Sequence, residues 1–203
     1  AVGSDGQWAI ARLSGWGVDV SHIAQLETAS GHAIINVDQM AENTIVLYPG
    51  ANWALPLAQV ETALATATAT DTLILQNETA HQAEAAALAR AKGMRVIYSA
   101  APFDIDAVRA VLKNVTILAL NAVEAEQLCT AIGTTLDMID VPELLVTRGA
   151  VGAEWRSRDG GHEHGRSRHG YSAWAWSGAQ RRSACDTDGI PRVRADRSPA
   201  CRP

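Results

Sequence analysis

Apolar residues recur along the first 155 positions in short blocks whose period switches between helical and strand spacing. Ile10 and Leu13 share one side of a helix running from Trp8 to Trp16, closed by Gly15 and Gly17. Residues 31–38 and 44–48 alternate or run apolar around Gln39–Asn43, which predicts the two strands of a hairpin. A helix follows over Leu55–Ala67, with Pro56 in its first turn. Next come a strand over Thr72–Gln76, an Ala-rich helix from His81 to Lys92 stopped by Gly93, and a strand over Met94–Tyr98. Helices over Ile105–Leu112 and Ala122–Ile132 bracket a strand over Thr116–Leu120, and a strand over Leu144–Thr147 closes the pattern. Short apolar runs bounded by turn signals read as buried strands of a parallel sheet. Their alternation with helices predicts an α/β fold with helices on the faces of that sheet.

Composition changes sharply after Trp155. Residues 156–203 hold ten of the seventeen basic residues, all of them Arg, and no Leu; they carry +5 against −10 for residues 1–155. The stretch from Gly160 to Gly170 has neither helical nor strand periodicity. So few aliphatic side chains cannot offset the entropy of ordering the chain. The expected organisation is therefore one folded unit over 1–155 and a low-order Arg/Gly/Ser-rich tail over 156–203. That tail is read either as disordered or as the frame-shifted product of a GC-rich gene. A basic arm for nucleic acid, with Tyr171, Trp174 and Trp176 among the arginines, is the weaker reading, and nucleic acid is not an expected partner. No apolar stretch approaches a bilayer span and no signal peptide leads the chain, so no membrane association and a cytoplasmic location are expected. Cys129, Cys185 and Cys201 lack metal-ligand spacing, and Cys129 reads as a small buried hydrophobe. His162, His164 and His169 have no Cys or carboxylate framework to make a metal site.

Candidate chemistry concentrates at two strand ends. The first segment, Thr116–Glu126, ends its apolar run at Asn121 and carries Glu124. Asn121 is a plausible N-cap for the following helix, and an N-cap at the carboxyl end of a parallel strand lies where nucleotide phosphates bind. The second segment runs from Leu144 to Trp155 and contains Thr147, Arg148, Gly149, Ala150, Val151 and Gly152. Its two glycines allow backbone N–H groups to approach an anion without Cβ obstruction. The alternative is a glycine-bearing hairpin turn, with Ala153–Trp155 returning as a strand. Glu78 follows the strand ending at Gln76; it is read either as a hydrogen-bond acceptor for sugar hydroxyls or as a helix-entry carboxylate favoured by the macrodipole. Asp38, Glu42 and Asn43 read as the hairpin's solvated turn, Asn52 as a strand terminator or a site residue, and Trp8, Trp16 and Trp53 as packing residues.

In this order the Asn-x-x-Glu and Thr-x-Gly-x-x-Gly blocks resemble those of the ribokinase-like (PfkB) sugar kinase family. Upstream segments around Ala1–Gly6, Gly17–Ser21, Ser30–Asp38, Glu42–Ile45 and Pro49–Asn52 fall in the order that ribokinases show, so the resemblance covers residues 1–155. It implies a three-layer parallel-sheet sandwich with a small β lid over residues 30–48, present here in incomplete form. It implies ATP as phosphoryl donor and Mg²⁺, with a monovalent cation compatible. By the same resemblance Glu78 binds the sugar, Asn121 and the Thr147–Gly152 loop bind ATP, and Glu124 organises Mg²⁺ through water. The implied reaction is transfer of the γ-phosphoryl group to a sugar hydroxymethyl oxygen, most simply D-ribose to ribose 5-phosphate. Adenosine, fructose and ketodeoxygluconate are the other acceptors in view, and the lid implies a homodimer.

The sequence also departs from the family pattern. Ala119–Leu120 stand where Thr-Pro usually precedes the Asn. No sugar-binding first strand or Gly-Gly-Lys-Gly-Ala-Asn type segment precedes Ala1, and no Asp-Thr-x-Gly-Ala-Gly-Asp motif follows. Cys185–Gly189 shares letters with that motif but lacks its glycine spacing and terminal Asp. With that base unassigned, the expectation is a chain with little or no turnover, for which a non-catalytic nucleotide-binding or dimerisation module is the competing reading. A dinucleotide-binding oxidoreductase is disfavoured, since Gly-x-Gly-x-x-Gly is absent.

Overall fold

A computed structural model describes residues 1–40 and 43–165. Its elements in chain order are α1 (Gln7–Gly15), β1 (His32–Val37), β2 (Asn43–Tyr48), α2 (Leu57–Leu64), β3 (Thr72–Gln76), α3 (Gln82–Ala91), β4 (Arg95–Ser99) and α4 (Ile105–Val111). They continue with β5 (Ile117–Asn121), α5 (Ala122–Ile132), β6 (Glu143–Thr147), β7 (Ala153–Ser157) and β8 (His162–Gly165). Strands β3 to β8 form one six-stranded sheet in sequential order, parallel from β3 to β6 and antiparallel thereafter. β1 and β2 form a separate antiparallel hairpin with His32 opposite Tyr48 and Val37 opposite Asn43.

The core follows from the two-residue period of the strands. The register aligns Tyr98, Leu118 and Leu144 across β4, β5 and β6, and all three are at most 5% exposed. Val96, Leu120 and Val146 complete this face, which α3, α4 and α5 cover with Ala85, Ala86, Ala89, Val108, Val111 and Leu128. The alanines let α3 lie close to Met94 and Val96, while Leu64 of α2 borders the same cluster. Residues of the opposite row behave differently: Ile74 is 64% exposed, and Ile97 and Leu145 are only half-buried. The α/β sandwich therefore has its helical core layer on one face, and the other face opens into the groove described below.

Several boundaries differ from the sequence expectation for local reasons. Pro56 is extended (φ −70°, ψ 141°) and stands before α2 rather than in its first turn, and α2 ends at Leu64. α1 has no buried residue, and Trp8, Trp16 and Trp53 are 64–69% exposed, so none of the three is a core packing residue. The Arg12 guanidinium lies 5.1 Å above the Trp16 ring. The expected boundary after Trp155 is also corrected. The sheet continues through Ser157 and, after a turn at Arg158–Gly161, through β8. Gly160 takes φ 86°, its N–H donates to Ser157 O, and Ser157 N–H donates to Gly161 O. Asp159-Gly160 is thus a hairpin signal of the familiar Asp-Gly kind, and backbone pairing specifies β8 without an apolar residue. The remainder of the expected tail, with Cys185–Gly189, lies outside the described residues.

The hairpin is held to the body by close backbone approach. Gly50 (φ 48°) sits where a Cβ would come 2.3 Å from Ala29 O, and a Cβ on Gly31 would meet Pro49 O and Asn52 Nδ2 at 2.7 Å. Asp5 adds a tether: its Oδ1 accepts from both Ser30 N–H and Ser30 Oγ–H at 2.9 Å. Among the described residues no helix is long and apolar enough to cross a membrane.

Candidate nucleotide and acceptor site

Asn121 does two jobs at the end of β5. As the last strand residue it pairs in register with Thr147 on β6, which brings the two candidate blocks side by side. As N-cap of α5 it accepts, through Oδ1, from the N–H groups of Val123 and Glu124 at 2.9 Å each. Glu124 reciprocates, its Oε2 accepting from Asn121 N–H at 2.8 Å, which completes a capping box. Glu124 is 5% exposed. Burial pushes its carboxyl above the usual range, and the Asn121 N–H bond opposes that rise in part.

Two cavities open on this side of the sheet. One, of about 380 Å³, lies over the carboxyl ends of β3 to β6 and is lined by Glu78, Ser99, Asn121, Glu124 and Thr147 among others. The second, of about 350 Å³, lies under the hairpin and is walled by His32, Tyr48, Trp53, Asn52, Asn77 and Glu78. Glu78 and Asn52 line both, so the two form one groove with the Glu78 carboxylate at their junction. Helix α3 begins at Gln82, with His81 as its N-cap in the left-handed region (φ 61°). Glu78 therefore precedes the helix by several residues and is not a first-turn carboxylate; it is a groove residue.

The Arg148–Gly152 segment forms a tight connector at the groove's rim. Gly149 (φ 57°) and Gly152 (φ 117°) take positive φ, Arg148 N–H donates to Gly152 O at 2.8 Å, and Val151 N–H donates to Arg148 O. The N–H groups of Gly149 and Ala150 have no acceptor among the described residues. Two unpaired amides at a rim suit an anion. The glycine-loop and return-strand readings of this segment hold together, because the connector lies between β6 and β7. Of the Thr147–Gly152 candidates, Thr147 alone lines the groove. Val151 is 75% exposed, and the Arg148 guanidinium is turned to Glu154, with Nη2 2.9 Å from Oε2.

The profile of the pfkB family carbohydrate kinases matches residues 1–168. The chain belongs to that family. No curated protein sequence matches it. Among solved structures, a nucleoside kinase from Burkholderia thailandensis in complex with inosine is similar at 24% identity and a TM-score of 0.67, over 80% of this chain and 55% of that one. A ribokinase from Thermotoga maritima is similar at 22% identity and a TM-score of 0.69, over 82% and 58% of the two chains. A ribokinase from Cryptococcus neoformans in complex with ADP is similar at 24% identity and a TM-score of 0.66, over 82% and 60%. The chain thus spans a little over half the length of these structures, and the likeness shows the fold.

For a PfkB chain the donor set can be tested against nucleotide and metal. The Gly149 and Ala150 amides, without an acceptor among the described residues, the Thr147 hydroxyl and the amino terminus of α5 fit a polyphosphate. Among the described residues no group of three or more His, Cys, Asp or Glu is placed to hold a metal ion. A single carboxylate, Glu124, with one oxygen already engaged by Asn121 N–H, fits Mg²⁺ held chiefly by phosphate and water. Sequence reading left Asn52 open between strand terminator and site residue, and it lines both cavities; Asn77, Ser99 and the aromatic wall were missed. Ser99 carried a usable signal, a polar residue ending an apolar strand run. Asn77 carried none: its Nδ2 bonds to Pro102 O, across a turn that the pattern does not specify.

Proposed function

We propose that this PfkB chain carries the lid, the acceptor carboxylate and the nucleotide loop of an ATP-dependent kinase acting on the hydroxymethyl group of a sugar, most simply D-ribose. One observation carries the reading: Glu78 stands at the junction of a hairpin-covered cavity and a second cavity ending at Asn121 and Thr147. Acceptor and nucleotide would then meet in one groove. Glu78 accepts hydrogen bonds from acceptor hydroxyls, the Gly149 and Ala150 amides and the Thr147 hydroxyl donate to phosphate, Asn121 holds the α5 terminus toward it, and the hairpin excludes water. Bound ATP with Mg²⁺ supplies the transferable phosphoryl group and neutralises part of its charge. Arg148, Val151 and Gly152 shape the loop rather than touch the groove.

No Asp lines either cavity among the described residues, so no general base is assigned. A missing base lowers rates by about 10²–10⁴. The reading is binding of ATP and acceptor with little or no turnover by this chain alone, in a cytoplasmic setting. The hairpin exposes apolar residues on both faces, with Ile34, Val37 and Val46 at 56–62% exposure, which supports pairing with a second copy. A nucleoside acceptor is the second reading, favoured by the aromatic wall of Trp53 and the His32–Tyr48 pair, whose ring centroids are 5.0 Å apart. Calorimetric titration with ATP, followed by D-ribose, adenosine, fructose and ketodeoxygluconate, tests the assignment. Saturable ATP binding and one preferred acceptor are expected. Absence of ATP binding overturns the nucleotide assignment, and measurable phosphorylation of any acceptor overturns the expectation of inactivity.

A further inference from the structure

Glu154 occupies a place in the sheet where an apolar side chain would ordinarily sit. It pairs across the strands with Val146, on the helix-covered face, and is 5% exposed. Burying a carboxylate there is costly unless it is paired. Each of its oxygens takes its own arginine. Oε2 accepts from Arg148 Nη2 at 2.9 Å and from Nε at 3.3 Å, and Oε1 accepts from Arg156 Nε at 2.6 Å. Arg156 is anchored on its far side by Asp137, Nη1 to Oδ1 at 2.6 Å. The chain of contacts runs from Asp137 in the connection after α5, through β7, to the first residue of the nucleotide loop.

That placement constrains the loop. Arg148 N–H closes the loop on Gly152 O, and its side chain is drawn to the helix-covered side of β6 and β7. With both ends of Arg148 fixed, the Gly149 and Ala150 amides are held in one orientation at the rim. Meanwhile the guanidinium, 42% exposed, is kept from folding over them. We propose that Glu154 is a positioning residue for nucleotide binding: by holding Arg148 it presents the Gly149 and Ala150 amides to phosphate. This rests on the nucleotide-loop reading above. A neutral residue at 154 would free Arg148 and let the loop sample other orientations, which a preorganised anion site cannot tolerate without losing affinity. Asp at 154 retains the charge on a shorter stem and is expected to recover part of the function.

The test uses the full chain with Glu154→Gln, Glu154→Asp, Arg148→Ala and the Glu154→Gln/Arg148→Ala pair. ATP affinity is measured by calorimetry, thermal unfolding by circular dichroism, and the Gly149 and Ala150 amide shifts by NMR. Glu154→Gln and Arg148→Ala are each expected to weaken ATP about tenfold, with the pair no worse than either alone, because both remove one shared contact. A purely structural role predicts instead a fall in melting temperature with unchanged ATP affinity, and that result overturns the proposal. Arg148→Ala carries the test if Glu154→Gln fails to fold, since Arg148 is partly exposed. Should the unaltered chain not bind ATP, the nucleotide reading fails by itself. The amide shifts then decide the clamp: movement at Gly149 and Ala150 on Arg148→Ala supports it, and unchanged shifts overturn it.

Discussion

Replacing Asn121 separates its capping role from its place beside the proposed phosphate site. In Asn121→Ala two helix N–H groups lose their acceptor. Val123 is 63% exposed, so water replaces the lost bond there; Glu124 is 5% exposed, and its N–H stays dry. A lost Asn cap costs about 1 kcal/mol, and an unsatisfied buried N–H raises the total toward about 2 kcal/mol. For a folded unit of this size that is a fall of roughly 2–8 °C in melting temperature. Asn121→Asp keeps an oxygen acceptor and adds a charge that the helix dipole favours, so its stability should stay within about 0.5 kcal/mol of the original. It also places a second carboxylate beside Glu124 at the proposed phosphate site. Unit charges 4 Å apart interact by about 4 kcal/mol near a protein surface, so even a third of that weakens ATP about tenfold. Urea unfolding followed by circular dichroism gives the first quantity and calorimetry with ATP the second. If Asp destabilises as much as Ala, the capping argument is refuted; if the Asp variant binds ATP as tightly as the original, the phosphates do not lie at the α5 terminus.

The remaining predictions concern charge, backbone and core. Glu124 has its carboxyl raised by burial, so its contribution favours the fold at low pH and is lost as pH rises from about 4.5, its unfolded value, through the folded one. Glu124→Gln keeps the capping box through its amide oxygen, and should remove this pH dependence in urea titrations while matching or exceeding the original at neutral pH. Gly152 lies at φ 117°, ψ −145°, a region closed to side-chain-bearing residues, so Gly152→Ala should cost about 1–3 kcal/mol and weaken ATP in the same calorimetric assay. Tyr98 is fully buried, its hydroxyl has no hydrogen-bond partner among the described residues, and burial holds its phenol above the usual range. Tyr98→Phe should therefore raise stability by about 1 kcal/mol in urea unfolding, and a loss of that size would show that a partner such as bound water was removed with the hydroxyl.

The parallel half of the sheet is legible because its strands, β4 to β6 above all, are runs of Val, Ile and Leu between turn signals, and because Ala-rich α3 and capped α5 have unambiguous ends. Asn121 is readable from its neighbours alone: an apolar run, an Asn, and a Glu three residues on specify both strand end and capping box. Glu78 is readable as a strand-end carboxylate, but its position at the junction of two cavities depends on the turn through His81, whose left-handed φ the sequence does not announce. The exposure of Trp8, Trp16 and Trp53 runs against composition, since large aromatics are counted as core until packing says otherwise.

Strand β7 shows why the far edge of the site is hidden from pattern reading. In Ala153-Glu-Trp-Arg-Ser157 the period-two rule would turn Glu154 and Arg156 outward and Trp155 into the helical core. The structure does the reverse: Glu154 shares the face of Val146, and Trp155 lies opposite Leu145 on the groove side. The inversion is tolerated because Arg156 and Arg148 satisfy the carboxylate, with Asp137 anchoring Arg156; the two guanidinium groups hold the Glu154 carboxyl below its usual titration range and make a polar patch where apolar packing was expected. Ion pairs assembled from three separate elements leave no local signature, so hydrophobic spacing misassigns the strand's faces. A strand whose alternation fails beside a glycine loop is therefore a place to look for function, because a buried carboxylate that needs two arginines to satisfy it is weak evidence for stability alone, and here one of those arginines is the residue that closes the loop.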